Sequence, residues 1–283
     1  MSRGNEVEVT HVSKKAEVTL KSEKSHLHLL GIQSTIAWEN PEANRLDFEK
    51  QIREGVKKFP ETDLIVLPEV FTTGFTMNHS KIDSWESRDT LNWMTRLSSE
   101  LKVGLTGSVT FRLKDGTARN RSLFVRPDGS FEFYDKKHLF SLGSKDQFFE
   151  KGLVKKIVEF RGWKILLQIC YDLRFPCSSR NTLEDRYDIA LYVANWHQAR
   201  IKHWLTLLQA RAIENQCYVM GVNRTGADAN SIIYPGESFA VDFYGGIRDQ
   251  ATQDDVVQLV CDRNALEDFK TKFPVLEDED TSD

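Results

Sequence analysis

Three short segments place a reactive side chain directly after a predicted strand. Glu69 follows an apolar segment and a proline, Lys136 follows the predicted strand Phe131–Asp135, and Cys170 ends another apolar segment. Functional groups of α/β proteins usually lie just beyond strand ends. A carboxylate, an ammonium group and a thiol in one cleft could act as general base, oxyanion donor and nucleophile. These residues therefore predict nucleophilic catalysis if the fold brings them together.

Each segment taken alone has a simpler interpretation. Glu69, flanked by Phe71 and Phe75, could hold a raised pKa, but it could also be a loop carboxylate that caps a nearby amide. The two lysines at 136–137 could be no more than a charged strand edge. Cys170 could be a buried structural thiol, the commoner fate of a free cysteine. Only the combination points to chemistry.

The composition excludes several classes of protein. Of 283 residues, 40% are hydrophobic and 28% are charged, which is typical of a folded globular protein and excludes a disordered chain. The net charge of -4 gives no global field that attracts nucleic acid or an anionic membrane. Apolar runs such as Ile189–Ala194 are far shorter than the roughly 20 residues of a membrane span. We therefore predict no nucleic-acid partner and no membrane partner.

The cysteines and the two ends of the chain indicate location and domain organisation. Four scattered cysteines with no CxxC pair argue against a zinc site or a disulfide scaffold and suit a cytoplasmic protein. We predict a polar extension over 1–25, one domain over 26–273 and an acidic tail over 274–283. The extension carries too many acidic residues for a transit peptide.

Strands and helices alternate along the domain. Leu27–Gln33 is predicted as the first strand, and Asn40 and Pro41 open a helix whose apolar residues recur at helical spacing. The residues expected to face the core from this helix are Leu46, Phe48, Ile52, Val56 and Phe59. Further strands are predicted over 63–67, 103–111, 122–125, 131–135, 164–170, 188–194 and 217–223, and further helices over 91–101 and 204–213. The pattern favours an α/β sandwich with two covered sheets.

Taken together, the motifs resemble those of the nitrilase superfamily of carbon–nitrogen hydrolases. The resemblance covers roughly residues 28–265. The glutamate, lysine and cysteine motifs match residues 67–69, 134–138 and 169–176, and residues 194–196 and 210–215 are similar to further signatures. The resemblance implies a four-layer αββα sandwich in which Glu69, Lys136 and Cys170 form the catalytic triad.

The resemblance also implies a mechanism, amide hydrolysis through a cysteine thioester. Glu69 would take the proton of Cys170, and the oxyanion would be held by Lys136 and the backbone N–H of Tyr171. No metal or organic cofactor is implied. The implied partners are a small amide substrate, water, and a second copy of the chain in a homodimer that forms through helices.

Residues 71–78 look most like the omega-amidase branch, whose enzymes hydrolyse the terminal amide of 2-oxoglutaramate and 2-oxosuccinamate. A short pocket walled by Phe71, Phe75 and Met77 would suit such substrates. Tyr171, Trp196 and His197 are further candidates for substrate binding, although the last two could equally be packing residues. Arg174 is expected to be a buried ion-pairing residue rather than a catalyst.

One departure and several rival hypotheses stay open. Many family members carry a second glutamate seven residues before the glycine that is Gly152 here, and ungapped counting puts Lys145 there. Asp146 or Glu150 could replace it, or the site could be weakened. A papain-like enzyme would instead pair Cys170 with His138 or His197. Other rivals are an N-carbamoyl amine or nitrile substrate, and a non-catalytic interaction protein with a nitrilase fold.

Overall fold

The computed structural model describes residues 24–78, 86–113, 115, 117–140, 149–253 and 255–278. The strands are β1 (His26–Gln33), β2 (Leu64–Val66), β3 (Gly104–Arg112), β4 (Ala118–Val125), β5 (Phe131–Asp135), β6 (Ile157–Phe160), β7 (Trp163–Ile169), β8 (Ile189–Ala194), β9 (Tyr218–Asn223), β10 (Thr225–Ala227), β11 (Ile233–Val241), β12 (Ile247–Thr252) and β13 (Asp255–Asp262). The α-helices are α1 (Pro41–Lys58), α2 (Glu86–Leu101), α3 (Pro176–Ser179), α4 (Ile201–Asn215) and α5 (Arg263–Lys272).

The strands form two mixed sheets. The first has the order β13-β1-β2-β3-β4-β5, and the second has the order β10-β11-β9-β8-β7-β6 with β12 beside β11. Strands β1, β2 and β3 are parallel in the first sheet, as are β7, β8 and β9 in the second. The remaining pairs are antiparallel, so each sheet has a parallel centre and hairpin-like edges.

Three apolar clusters show how the layers are stacked. The cluster between the sheets combines residues of both, such as Leu64 and Leu167. A second cluster packs Phe48 and Leu97, from α1 and α2, on the outer face of the first sheet. A third packs Trp204 and other α4 residues on the outer face of the second sheet. The layers therefore run α, β, β, α, which confirms the predicted four-layer sandwich.

Helix α1 shows how local sequence sets an element and where the prediction failed. Asn40 caps the helix by accepting a hydrogen bond from the Ala43 N–H at 3.2 Å, and Pro41 occupies the first turn. Phe48 and Ile52 are fully buried, but Leu46 is 74% exposed. The prediction that Leu46 faces the core is wrong, because a residue two positions before Phe48 lies about 200° around the helix.

The ends of the chain mostly fall outside this description. The predicted N-terminal extension over 1–25 is described only at residues 24–25, and the predicted tail over 274–283 only up to residue 278. Within the described ranges, no helix is both long enough and apolar enough to cross a membrane.

Candidate active site

The residues that could do chemistry gather at one edge of the two sheets. Glu69 follows β2 and Lys136 follows β5, which runs in the same direction as β3 after two antiparallel pairings. Cys170 follows β7 and Asn195 follows β8 in the other sheet. All four line a single pocket. The site therefore lies where the ends of both sheets meet.

The carboxylate of Glu69 is held by an ammonium group and two amides. Lys136 Nζ donates to Glu69 Oε1 at 2.6 Å, and Asn120 Nδ2 donates to the same oxygen at 2.7 Å. The backbone N–H of Asn195 donates to Oε2 at 2.8 Å. Glu69 is 1% exposed and Lys136 is 2% exposed. Because both charges are buried and paired with each other, the carboxylate is fixed in place.

Lys136 supplies a permanent positive charge at the site. Burial opposes its charged form, but the neighbouring Glu69 and Cys170 outweigh burial and raise the pKa of Lys136 above its ordinary value. The ammonium also lies 5.6 Å from the centre of the Phe75 ring. An ammonium that stays charged at neutral pH can stabilise negative charge that develops on a reacting group.

Cys170 occupies a strained turn at the end of β7. Its φ is +46°, a left-handed conformation that non-glycine residues rarely adopt, and it begins a 3-10 turn over Cys170–Arg174. The thiol lies 4.0 Å from the Asn195 carbonyl oxygen and within hydrogen-bonding reach of Glu69. Burial raises the pKa of the Cys170 thiol, an effect that Glu69 reinforces and Lys136 opposes. The resting sulfur is therefore a thiol with a base beside it.

A buried aspartate ties the lysine segment to the cysteine segment. Asp172 Oδ2 accepts from the Tyr134 hydroxyl at 2.8 Å and from the Ile169 N–H at 3.0 Å. Asp172 Oδ1 accepts from the backbone N–H of His138 at 2.9 Å and from its Nδ1 at 2.8 Å. These bonds fix the position of the segment that carries Lys136 relative to the turn that carries Cys170.

The contacts of His138 test the papain-like alternative, in which a histidine would be the base for Cys170. The Nδ1 of His138 is engaged by Asp172, and its ring stacks on Phe175 with 3.9 Å between ring centres. His138 is not among the residues that line the pocket, whereas His197 is. The arrangement favours Glu69 over His138 as the base for Cys170.

The structure separates the predicted substrate-binding residues into two groups. Phe75, Tyr171, Trp196 and His197 line the pocket, together with Phe140 and Tyr234, which the sequence did not suggest. Phe71 does not line it.

The prediction that Phe71 walls the pocket is corrected by the packing of its ring. The ring is fully buried on the helix side of the first sheet, at 5.4 Å from Phe48 and 6.0 Å from Trp93 between ring centres. The left-handed residue Val70, with φ of +41°, turns the chain between Glu69 and Phe71 so that the two side chains diverge.

Arg174 also differs from expectation. It is partly exposed, lines the pocket, and forms no ion pair with a carboxylate among the described residues. Its guanidinium lies over the Trp196 ring, 4.7 Å from the ring centre. The expectation of a buried ion pair is therefore wrong.

Sequence reasoning also missed Asn120, Asn195 and Arg200. Asn195 could have been predicted from the sequence, because it belongs to the segment 194–196, which is similar to a family signature and follows a predicted strand. Asn120 lies in the middle of β4 and gives no local signal.

The departure at the second-glutamate position is only partly described. Lys145 and Asp146 lie outside the described residues. Glu150 forms an ion pair with Arg119 at 2.9 Å, on the exposed side. The nearby Gly152 donates its N–H to the Lys136 carbonyl at 2.9 Å, and a Cβ there would lie 1.9 Å from the Asp135 carbonyl oxygen. Gly152 thus lets the chain approach the backbone that carries Lys136.

Comparisons with known proteins show which family the chain is similar to. The family model described as carbon-nitrogen hydrolase matches residues 29–270. The chain is 42% identical to the omega-amidase YafV of Yersinia enterocolitica, over 90% of this chain and 98% of that protein. It is 29% identical to the 2-oxoglutaramate amidase of Bacillus subtilis, over 78% of this chain and 86% of that protein.

A solved structure gives the same result for the fold. XC1258 of Xanthomonas campestris, a CN-hydrolase superfamily protein with an arsenic adduct in its active site, superposes with a TM-score of 0.85 and 36% sequence identity. The match covers 91% of this chain and 98% of that one.

Proposed function

The chain belongs to the carbon–nitrogen hydrolase family, and we propose that it hydrolyses the terminal amide of small omega-amido keto acids, such as 2-oxoglutaramate and 2-oxosuccinamate, to the dicarboxylate and ammonia. The observation that carries the proposal is the convergence of Glu69, Lys136 and Cys170 in one pocket. The similarity to omega-amidase and 2-oxoglutaramate amidase relatives supports the substrate class.

In the first half of the proposed reaction, Glu69 takes the thiol proton of Cys170 as the sulfur attacks the amide carbon. The amide oxygen gains negative charge, which the Lys136 ammonium and the Tyr171 N–H stabilise. As the C–N bond breaks, Glu69 passes its proton to the leaving nitrogen. Ammonia departs and a thioester remains on Cys170.

In the second half, water attacks the thioester with Glu69 as the base. The same oxyanion donors act again, the C–S bond breaks, and the thiolate recovers the proton that Glu69 took from water. Because the raised pKa of Cys170 keeps the free sulfur protonated at neutral pH, each turnover depends on the adjacent carboxylate.

An ammonia-release assay tests which substrate the enzyme prefers. The purified chain is assayed with 2-oxoglutaramate, 2-oxosuccinamate, glutamine, asparagine, an N-carbamoyl amine and an aliphatic nitrile. We expect the highest kcat/KM for a keto-acid amide. A higher value for the N-carbamoyl amine or the nitrile would leave family membership intact and remove the omega-amidase proposal.

The nucleophile is tested separately. Cys170→Ala should abolish turnover, and mass spectrometry with a slow amide substrate should find the acyl group on Cys170. Cys177→Ala is the matched control, because this free cysteine is exposed and does not line the pocket. Turnover by Cys170→Ala, or an adduct on another cysteine, would contradict the proposed mechanism.

We also propose that the enzyme is a cytoplasmic homodimer. All four cysteines are free, which suits a reducing compartment. Ile213 on α4, Tyr244 and Phe273 are 55%, 67% and 60% exposed, and Phe269 links the last two through ring contacts. Light scattering should give a dimer mass that Ile213→Glu lowers. Leu46→Glu, at an exposed apolar residue of α1, is the control.

A further inference from the structure

We infer that Arg174 and Arg200 together bind the carboxylate at the end of the substrate distant from the amide. This inference rests on the proposed function and assigns to named residues the choice of a carboxylate-bearing amide. Both residues line the pocket that contains Cys170, and neither forms an ion pair with a carboxylate among the described residues.

Arg174 is oriented by an aromatic ring and a histidine. Its guanidinium lies 4.7 Å from the centre of the Trp196 ring, and its two terminal nitrogens lie 3.4 and 3.3 Å from His203 Nδ1. Since arginine can only donate, the Nδ1 acts as the acceptor. These contacts hold the guanidinium without neutralising its charge.

Arg200 is held near Arg174 by a contact with the same tryptophan, Trp196. Trp196 Nε1 donates to the Arg200 carbonyl oxygen at 2.8 Å, and the Arg200 guanidinium lies 5.4 Å from the centre of the Phe140 ring. Trp196 itself is 4% exposed, and its backbone is fixed by hydrogen bonds to and from Asn223 at 2.7 and 2.9 Å. A rigid indole therefore places both cationic residues at one pocket.

The charges in this pocket do not balance. Its lining contains one carboxylate, Glu69, and three cationic side chains, and Glu69 is already paired with Lys136. Two guanidinium groups thus remain unpaired within the described lining of a protein whose net charge is -4. Burial, followed by the charge of Arg200, lowers the pKa of Arg174 from its ordinary value. The two cations therefore repel each other, and a bound anion would relieve that repulsion.

Arginines elsewhere in the described chain show the contrast. Arg119 and Arg121 both bind the Asp135 carboxylate, at 3.0 and 2.6 Å. A guanidinium binds a carboxylate through parallel hydrogen bonds, so an unpaired one in a pocket is suited to a carboxylate ligand. The same pair would disfavour an α-ammonium group beside that carboxylate, which explains why a keto acid should be preferred to glutamine.

The test compares substrates of equal length with and without the carboxylate. We expect Arg200→Gln and Arg174→Gln each to lower kcat/KM for 2-oxoglutaramate about ten- to a hundredfold, mostly through KM, and to change kcat/KM for uncharged pentanamide by less than about threefold. Arg174→Lys, which keeps the charge, should fall in between. Arg248→Gln is the matched control, because it removes one positive charge from a 65% exposed side chain that does not line the pocket.

A binding measurement keeps the inference open to refutation if one variant does not fold. In the Cys170→Ala background, calorimetry should show that Arg200→Gln weakens 2-oxoglutaramate binding by the same factor as it raises KM. An equal loss on both substrates, or no loss on either, would overturn the assignment of the arginines. The proposed function fails by a different result, namely that the unaltered enzyme prefers the nitrile, the N-carbamoyl amine or pentanamide.

Discussion

Lys136 Nζ lies 2.6 Å from Glu69 Oε1, although 67 residues separate the two in the chain and each is almost completely buried. A pair of this kind is costly to form because both charges leave water, and it is more costly to break because one charge is left alone. The proposed base and the proposed oxyanion donor are therefore also a structural unit. Stability and activity can be separated by altering one partner or both.

We predict that Lys136→Met lowers the free energy of unfolding by about 3–5 kcal/mol, because the Glu69 carboxylate stays buried without its cation. The double variant Glu69→Gln/Lys136→Met should recover much of that loss, since no charge remains to be compensated. Both variants should be inactive. Urea unfolding checks the stabilities, and a double variant no more stable than Lys136→Met would contradict this account of the pair.

His138→Gln should retain activity within about tenfold of the unaltered enzyme. The histidine binds Asp172 and stacks on Phe175, so its loss loosens the connection between two segments without removing a proton acceptor from Cys170. A papain-like base would cost 10³-fold or more in kcat, on the order of the losses seen when triad members are removed. Steady-state kinetics across pH 5–9 distinguishes the two, because a histidine base would also impose a pKa near its unperturbed value of roughly 6.5.

Gly152→Ala should lower kcat at least tenfold and the free energy of unfolding by about 1–3 kcal/mol. The added Cβ would lie 1.9 Å from the Asp135 carbonyl oxygen, next to the backbone of Lys136. Gly129→Ala serves as the control, because its φ of +82° makes alanine unfavourable but its Cβ meets only Thr95 at 3.6 Å. The control should lose about 1 kcal/mol and no activity. Equal effects on kcat in both variants would argue against a positioning role for Gly152.

The stability of the α1–α2 contact should depend on pH below 4.5. The pKa of Glu49 is lowered from 4.5 to about 2, mainly by its hydrogen bond to Arg96, which outweighs the opposing effect of burial. Hydrogen bonds from Arg53 and Trp93 lower the pKa further. Because the folded pKa is the lower one, this stabilisation is present above pH 4.5 and is lost as the pH falls towards 2. Glu49→Gln should therefore be less stable than the unaltered protein at pH 6, with the difference shrinking as the pH approaches 2.

Urea titrations at several pH values measure that difference. Glu54→Gln is the control on the same helix, because Glu54 is exposed. Its stability curve should run parallel to that of the unaltered protein. A Glu49→Gln curve that also runs parallel over pH 2–6 would mean that the ion pairs of Glu49 contribute nothing to folding.

The sequence predicted the layers because they depend on local signals, and the same signals single out Glu69, Lys136 and Cys170 as the candidate triad. Phe131–Asp135 is predicted residue for residue, and the β7 and β8 predictions are within one residue of the observed strands. Strands β6 and β10–β13 were not predicted. In β12 only Ile247 and Ala251 are apolar, so its apolar content is too low to mark a buried strand.

The rest of the site depends on pairing that no local pattern encodes. Asn120 reaches Glu69 only because β4 pairs with both β3 and β5, which brings together residues 51 positions apart. Phe71 shows the opposite case, because its closeness to Glu69 in the sequence does not bring its ring into the pocket. Arg200 gives no signal until Trp196 is seen to hold it beside Arg174.

Because the site is divided between the two sheets, the proposed triad depends on how the two layers dock. Glu69 and Lys136 follow strands of one sheet, and Cys170 follows a strand of the other. In a partly folded chain whose sheets have not docked, the Cys170 sulfur therefore lies apart from the Glu69 carboxylate. During synthesis, the sulfur emerges after Glu69 and Lys136 but meets them only when the layers close. The proposed triad is therefore complete only once the two sheets have docked.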